Sequence, residues 1–387
     1  MEPTAITLFL LSVSLVLYVL LGYPLLLGVV ARRRARPVRK RNQELSVSII
    51  LPVRDGEPWI RAKLNSLLAL DYPSNLLEIF VISDGSVDGT DDIVREYAFA
   101  GVQLIRIRRG GKPAALNAGM IRATGEILFF TDVRQLLGSE CLRRLVNGFS
   151  DSQVGVVSGE LVLRDGVDST QAKVSLYWRY ETWIRSHLSE IDSVLGASGC
   201  VYAMRRELAV PLPKQTLLDD VYLPLAALFK GYRVIIERAA RAYDSPVGLQ
   251  SEFLRKVRTL AGVYQILREY PELLGSRNRM RIHFLSHKIG RLVLPHALII
   301  MAVTGWWLPA AWRDGAVVAQ AIFYAFCALD PWIPEEWLVK PVTSASRAFL
   351  VMMAAAFCAG PAFLFGGNLW IDTRARPSVQ KVHVELQ

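Results

Sequence analysis

Cysteine is scarce in this 387-residue chain, and charge is missing from long stretches of it. The four cysteines, Cys141, Cys200, Cys327 and Cys358, are scattered, two of them in apolar segments. They offer neither metal-ligand spacing nor the density of a disulfide framework. There is no internal repeat and no low-complexity tract, which excludes a solenoid or a solvated tail protein. The net charge of +10 lacks the aromatic stacking platform of a nucleic-acid binder, and its basic residues crowd beside the apolar segments, so no nucleic-acid partner is expected. A P-loop is excluded too, because GGK at 110–112 fails the required spacing.

The charge-free stretches lie at the two ends. No charged residue interrupts 4–31, and an apolar helix of about 20 residues crosses a bilayer. Residues 348–371 are also charge-free, as are 292–312 apart from His296, while 315–329 is a shorter run, marginal for a span. The first run lacks a basic n-region and a small-residue cleavage site, so it reads as an anchor rather than a signal peptide. Seven basic residues follow it: Arg32, Arg33, Arg34, Arg36, Arg39, Lys40 and Arg41. By the positive-inside rule they place the central region in the cytosol, under a cytoplasmic (inner) membrane whose anionic lipids they also contact. The expected organisation is a membrane helix at 1–31, a basic linker at 32–45, a cytosolic domain at 46–285, membrane helices at 286–372 and a tail at 373–387. Three full spans would put the C-terminus inside; four would put it outside.

Between the ends, strand-like and helix-like segments alternate. SVSIILPV, LLEIFVIS, VQLIRI and EILFFTD read as buried strands, with IRAKLNSLLAL, DDIVREYAFA and PAALNAGMIRA as helices between them. Such alternation predicts α/β architecture with a mostly parallel sheet, whose ligands bind at the carboxyl ends of the strands. Three motifs fall at strand ends: LPVRDGE at 51–57, SDGS at 83–86 and TDVRQ at 131–135.

The residue types at these positions carry definite chemistry. A carboxylate at a strand-end turn such as SDGS can accept hydrogen bonds, and Lys112 in RRGGKPAALNAG is a cation beside glycines that let backbone approach a ligand. Asp132 in TDVRQ is a carboxylate of the kind a hard divalent ion takes. In LLDDVYLP, Asp219 and Asp220 are adjacent carboxylates, and in one pocket each raises the pKa of the other. In FLRKVRT, Arg255 and Arg258 lie one helical turn apart and can grip phosphate oxygens.

Taken together, SDGSVDGT, GKPAALNAG, TDVRQ, LLDDVYLP and FLRKVRT resemble the motifs of membrane-bound family 2 glycosyltransferases, particularly the processive type that makes cellulose, chitin, hyaluronan and poly-N-acetylglucosamine. The resemblance covers about 45–270. It implies a GT-A-type sheet flanked by helices, with N- and C-terminal transmembrane helices. The implied reaction is inverting transfer of a sugar from a nucleotide-diphosphate donor, UDP-linked by preference, to a growing polysaccharide, with magnesium or manganese as cofactor. The implied donor site is Pro52, Asp55, Glu57, Ser83, Asp84, Lys112 and Asn117, with metal on Asp132. Asp220, Arg255 and Arg258 are the implied catalytic residues, with Asp219 and Gly199 on the acceptor side.

Ser83, Arg134 and Thr259 depart from the family pattern, standing where it carries an acid, a second acid and a tryptophan. Tyr264 or Trp183 is a candidate substitute for the missing ring. The alternatives are a single-sugar transferase acting on a polyprenyl or other lipid carrier, and a non-catalytic scaffold subunit. His283 and His287 read as part of a lipid-headgroup helix without an acidic partner. Trp178, Tyr180 and Trp183 read as an interface-lying helix or a sugar-stacking surface.

Overall fold

A computed structural model describes residues 2–163, 170–245 and 249–365, without side chains at 2, 170–178 or 249–251. Trp178 and the expected tail at 373–387 therefore lie outside what is described. Eight strands form one sheet: β1 (Val47–Val53), β2 (Leu77–Asp84), β3 (Val102–Ile107), β4 (Ile127–Thr131), β5 (Leu136–Leu137), β6 (Val154–Leu163), β7 (Val201–Arg205) and β8 (Arg233–Asp244). Their spatial order is β3-β2-β1-β4-β7-β6-β8-β5. The β3-β2-β1-β4 half is parallel throughout, as the alternating pattern predicts, but β7 runs antiparallel between β4 and β6. The sheet is thus mixed and flanked by helices on both faces.

The apolar runs of β1 and β4 are buried almost without exception because both faces are covered. One face is packed by the helices Glu57–Leu68 and Cys141–Asn147 through Ile60, Leu64, Leu142 and Leu145. The other face shares its core with the apolar helices at the two ends of the chain: Tyr23, Leu27, Phe284 and Leu292 join Ile50, Phe130 and Tyr202 in one cluster.

Four helical stretches are long and apolar enough to cross a membrane: Pro3–Arg34, Arg281–Trp307, Ala310–Trp332 and Lys340–Phe365. The first two run antiparallel, with Tyr18 hydroxyl 2.7 Å from Ser286 Oγ near the sheet domain and Phe9 beside Gly305 at the far end. The last helix ends beside the sheet domain, where Phe363 stacks on Tyr264 and lies under the Arg268 guanidinium. Its first residue, Lys340, pairs with Asp330 at the far end. Both ends of the helix Ala310–Leu329 therefore lie at the far end of the bundle, and its middle residue Gln320 packs at Gly305.

The basic linker is not simply solvated. Arg36 pairs with Asp192 at 2.9 Å and Lys40 pairs with Glu237, so the segment docks on the domain.

Candidate active site

The first turn of the helix Asp219–Phe229 brings two carboxylates to the carboxyl edge of the sheet. Lys112, the first residue of the helix Lys112–Arg122, reaches across to them. Its Nζ lies 3.0 Å from Asp132 Oδ1 and 3.3 Å from Asp219 Oδ2, joining the basic loop, the end of β4 and the acceptor-side helix. Burial alone would lower the Lys112 ammonium, but Asp132, Asp219 and Asp220 outweigh it and raise it above its ordinary value. Burial and the neighbouring Asp219 push Asp220 up to about 6, against the pull of Lys112. Asp219 is raised as well, chiefly by burial.

Gly199 sets the space beside Asp220. A Cβ there would stand 3.0 Å from Asp220 Oδ2, so only the bare backbone lets the carboxylate sit against this loop. Ala197 N donates to the Asp220 carbonyl at 2.7 Å and fixes the same loop.

The expected donor residues form a second group whose polar atoms are largely engaged with one another. Asp84 Oδ1 and Oδ2 accept from the amides of Gly110 and Gly111 at 2.6 and 2.9 Å, so this carboxylate shapes the loop that carries Lys112. Gly111 has φ +83°, a conformation that suits glycine. Asp55, itself at φ +46°, accepts from Val87 N, and Glu57 accepts from Gly89 N, both at 2.9 Å. Ser83 Oγ donates to Ser86 Oγ at 3.1 Å, and Pro52 sits in register with Ile82 at the strand ends. Asn117 clamps both backbone groups of Leu212 at 2.8 Å, holding the loop that leads to Asp219.

Arg134 takes no part in the Lys112 cluster: it pairs with Asp244 at 2.6 Å, and Gln135 holds the same oxygen at 2.7 Å. Arg255 is held by both oxygens of Glu252 at 2.8 Å, and Arg258 is half-buried one turn further on. Tyr264 stacks on Phe363, and Trp183 packs over Gly28 and His187.

Three charged groups escape the sequence reading. Lys63 is fully buried and donates to Thr131 Oγ1 at 2.7 Å and to the Gln135 carbonyl at 2.6 Å, pinning both ends of the loop that bears Asp132. Burial pushes its ammonium down to about 8. Thr131 Oγ1 in turn donates to the Cys200 carbonyl, which ties this loop to Gly199. The second group is Glu181, which is paired with Arg291 and lies 3.3 Å from His287 Nε2. His287 does have an acidic partner, then; it comes from a helix more than a hundred positions away. The third is Arg185, one turn from Glu181, whose guanidinium approaches Ser198 Oγ and the Gly196 carbonyl at 3.4 Å.

Among the described residues no three His, Cys, Asp or Glu side chains converge to hold a metal. Asp132 is about one-third exposed and fits a hard ion as one of the one or two carboxylates such ions take when a diphosphate supplies the other oxygens.

Residues 48–210 match the model of glycosyl transferase family 2. The chain carries a family 2 glycosyltransferase domain. Glycosyltransferase AglE of Haloferax volcanii is 28% identical over 194 residues, covering 48% of this chain and 62% of that protein. A beta-monoglucosyldiacylglycerol synthase of Trichormus variabilis is 31% identical over 207 residues, covering 51% and 44%. The chain thus spans about half the length of these curated relatives. Among solved structures, the mannosyltransferase PcManGT of Pyrobaculum calidifontis, in complex with GDP-Man and Mn2+, superposes with a TM-score of 0.73 at 24% identity over 93% of this chain and 99% of that one. That likeness shows a GT-A-like fold and covers the apolar helices as well as the sheet.

Proposed function

We propose that this protein is an inverting glycosyltransferase that moves a sugar from a nucleotide-diphosphate donor to an acceptor presented at the membrane. The observation that carries the proposal is the Lys112 bridge between Asp132 and Asp219, with Asp220 beside Gly199, at the carboxyl edge of the family 2 sheet. Asp220 is the base. An acceptor oxygen gives its proton to this carboxylate and bonds to the anomeric carbon, the bond from that carbon to the diphosphate breaks, and its electron pair leaves with the nucleotide diphosphate. Lys112 meets the charge that develops on the leaving group. Asp55, Glu57, Ser83 and Asp84 frame the nucleotide end, and Asp84 does so by setting the glycine loop.

A divalent ion, manganese or magnesium, would be held by Asp132 with diphosphate oxygens, and would supply Lewis-acid stabilisation of the leaving group. The catalytic domain faces the cytosol under this reading, on the side where the basic linker lies. A growing polysaccharide as acceptor is the second reading, favoured by the one-turn spacing of Arg255 and Arg258. For it to hold, Arg255 must leave Glu252 when donor binds.

The test is incorporation from radiolabelled UDP- and GDP-sugars by membranes carrying the protein, with and without manganese, alongside Asp220→Asn. Incorporation that disappears in the mutant supports the proposal. A mutant that retains full transfer refutes Asp220 as base, and failure to bind any donor supports a scaffold instead.

A further inference from the structure

The loop 192–200, between the helix Thr170–Ile191 and β7, wraps the first turn of the helix that carries Asp220. Gly196, at φ +136°, lies against that turn: a Cβ there would stand 2.9 Å from Val221 Cγ2 and 3.5 Å from the Asp220 carbonyl oxygen. Ala197 N donates to the same carbonyl, and Gly199 faces the Asp220 carboxylate. Backbone at 196, 197 and 199 thus bounds the space in which the base can move.

One charged side chain grips this loop from outside. Arg185 reaches from the helix Thr170–Ile191 and donates through Nη2 to the Gly196 carbonyl and through Nη1 to Ser198 Oγ, both at 3.4 Å. Among the described residues it pairs with no carboxylate, and Glu181, one turn away on the same helix, is taken by Arg291. A guanidinium with five donors is therefore directed at a neutral loop, which suits holding rather than charge balance. Ser198 N donates to Ser158 Oγ at 2.9 Å, so the loop is also fixed to β6 on its other side.

The helix behind Arg185 is itself fastened to the apolar helices. Trp183 lies over Gly28 so closely that a Cβ on Gly28 would stand 3.2 Å from its ring. Tyr180 hydroxyl approaches the carbonyls of Val19 and Leu20 at 3.4 Å, and Ile184 is buried in the core that also takes Tyr23 and Leu27. Residues 180–185 therefore hold the apolar helices from both ends of the chain and, through Arg185, the loop around Asp220.

We propose that Arg185 is a positioning residue for the base: it fixes the loop 196–199 and, with it, the place of Asp220 relative to the apolar helices where the acceptor is presented. It acts through the loop and touches no reacting atom. Asp55, Ser83 and Asp84 sit elsewhere, at the ends of β1 and β2, so loss of Arg185 should act on the transfer step rather than on donor affinity. The inference rests on Asp220 as base, but the first readout of its test does not.

The test reads amide exchange and transfer on the full chain. In detergent, Arg185→Gln is expected to speed exchange of the amides at 197–199 ~10-fold or more, with β1 and β4 unaffected. Ser198→Ala, which removes one of the two contacts and leaves the helix untouched, should have a smaller effect on the same segment. Arg185→Lys should restore part of the protection. In membranes given donor, Arg185→Gln should lower kcat about tenfold or more while donor KM changes less than about twofold, and Arg185→Lys should recover part of the rate. Unchanged exchange at 197–199 overturns the proposal, and so does an intact kcat. Should the parent transfer no sugar, the transferase reading fails, and the exchange result alone decides whether Arg185 holds the loop.

Discussion

Lys112 Nζ stands 3.0 Å from Asp132 Oδ1, and this contact couples the basic loop to the end of β4. Among the described residues, Lys112 is the cation that pairs with both Asp132 and Asp219. Replacing it with Met leaves both buried carboxylates without it, and removing one partner of a buried pair costs about 3–5 kcal/mol when desolvation is complete. Asp132 is partly exposed, so the expected loss is smaller, about 1–3 kcal/mol. It should be visible as a lower unfolding temperature in detergent, with transfer falling well over tenfold. Undiminished transfer in Lys112→Met would mean that the leaving group is stabilised elsewhere.

The base sets a pH dependence. Asp220 must be ionised to accept a proton, and its pKa is pushed up to about 6, so kcat is expected to rise with pH through an inflection near that value. Asp219→Asn removes a neighbouring negative charge and should move the inflection downward. Stability has the opposite slope. Because the folded value lies above the ordinary 3.8, the folded chain holds a proton between about 4 and 6 that the unfolded chain has lost. Stability contributed by this group therefore falls as pH rises across that window. Asp220→Asn should be more stable than the parent above pH 6 while losing transfer, a pairing that a purely structural aspartate would not show.

Gly199 is predicted to be a sensitive position. Alanine there would place a methyl 3.0 Å from Asp220 Oδ2, and the carboxylate must give way. Misplacing a catalytic group by about 1 Å can cost ~100-fold in rate. The expected outcome for Gly199→Ala is a loss in kcat of tenfold or more with donor KM little changed. An unaltered kcat would show that Asp220 does not work from its present rotamer.

The parallel half of the sheet and the strand-end location of the motifs were legible because period and turn chemistry are local. VISDGS and EILFFTD each announce a buried strand breaking into a turn, and both lie in the parallel half of the sheet, on either side of β1. The antiparallel β7 was not legible, since VYAMR is a short apolar run whose direction is decided by its neighbours. Asp132, Asp219, Asp220 and Lys112 were legible as candidates, but the meeting of Asp132 and Asp219 at one ammonium depends on the long-range contact between Lys112 and Asp219, far apart in sequence. Lys63 had a visible signal: it interrupts the apolar face Ile60, Leu64, Leu67, where a lysine belongs only if its ammonium is satisfied inside. Glu181 gave none, because its partners His287 and Arg291 lie more than a hundred positions away on an apolar helix.

That buried lysine has its own consequence. Lys63 joins Thr131 to Gln135, so Lys63→Met should loosen the intervening loop and weaken donor binding through Asp132, with a stability loss of about 1–3 kcal/mol. Its folded value near 8 lies below the ordinary 10.5, so the stability it contributes rises with pH between those values. The parent should gain stability from pH 8 to 10 relative to Lys63→Met, as read by thermal unfolding in detergent.

The helix Ala310–Leu329 carries the last prediction. Its 20 residues span ~30 Å, enough to cross a bilayer, and composition alone would count it as a span. Its contacts place it otherwise. It starts just after Trp307, at the far end of a helix that leaves the sheet domain at Arg281, and it finishes at Asp330, which is paired with Lys340. From Lys340 the final helix runs back until Phe363 meets Tyr264. A helix whose two ends share one end of the bundle lies across it. The tryptophans agree, since Trp306, Trp307, Trp312, Trp332 and Trp337 are all exposed and flank both of its ends, the placement of side chains at a membrane–water interface. We therefore predict three crossings, with residue 365 on the same side as the sheet domain. An epitope inserted after Pro334 should be reached by antibody on intact cells, whereas one placed after Phe365 should be reached only after permeabilisation. The reverse pattern would mean that the chain crosses four times and that this helix stands upright in the bilayer.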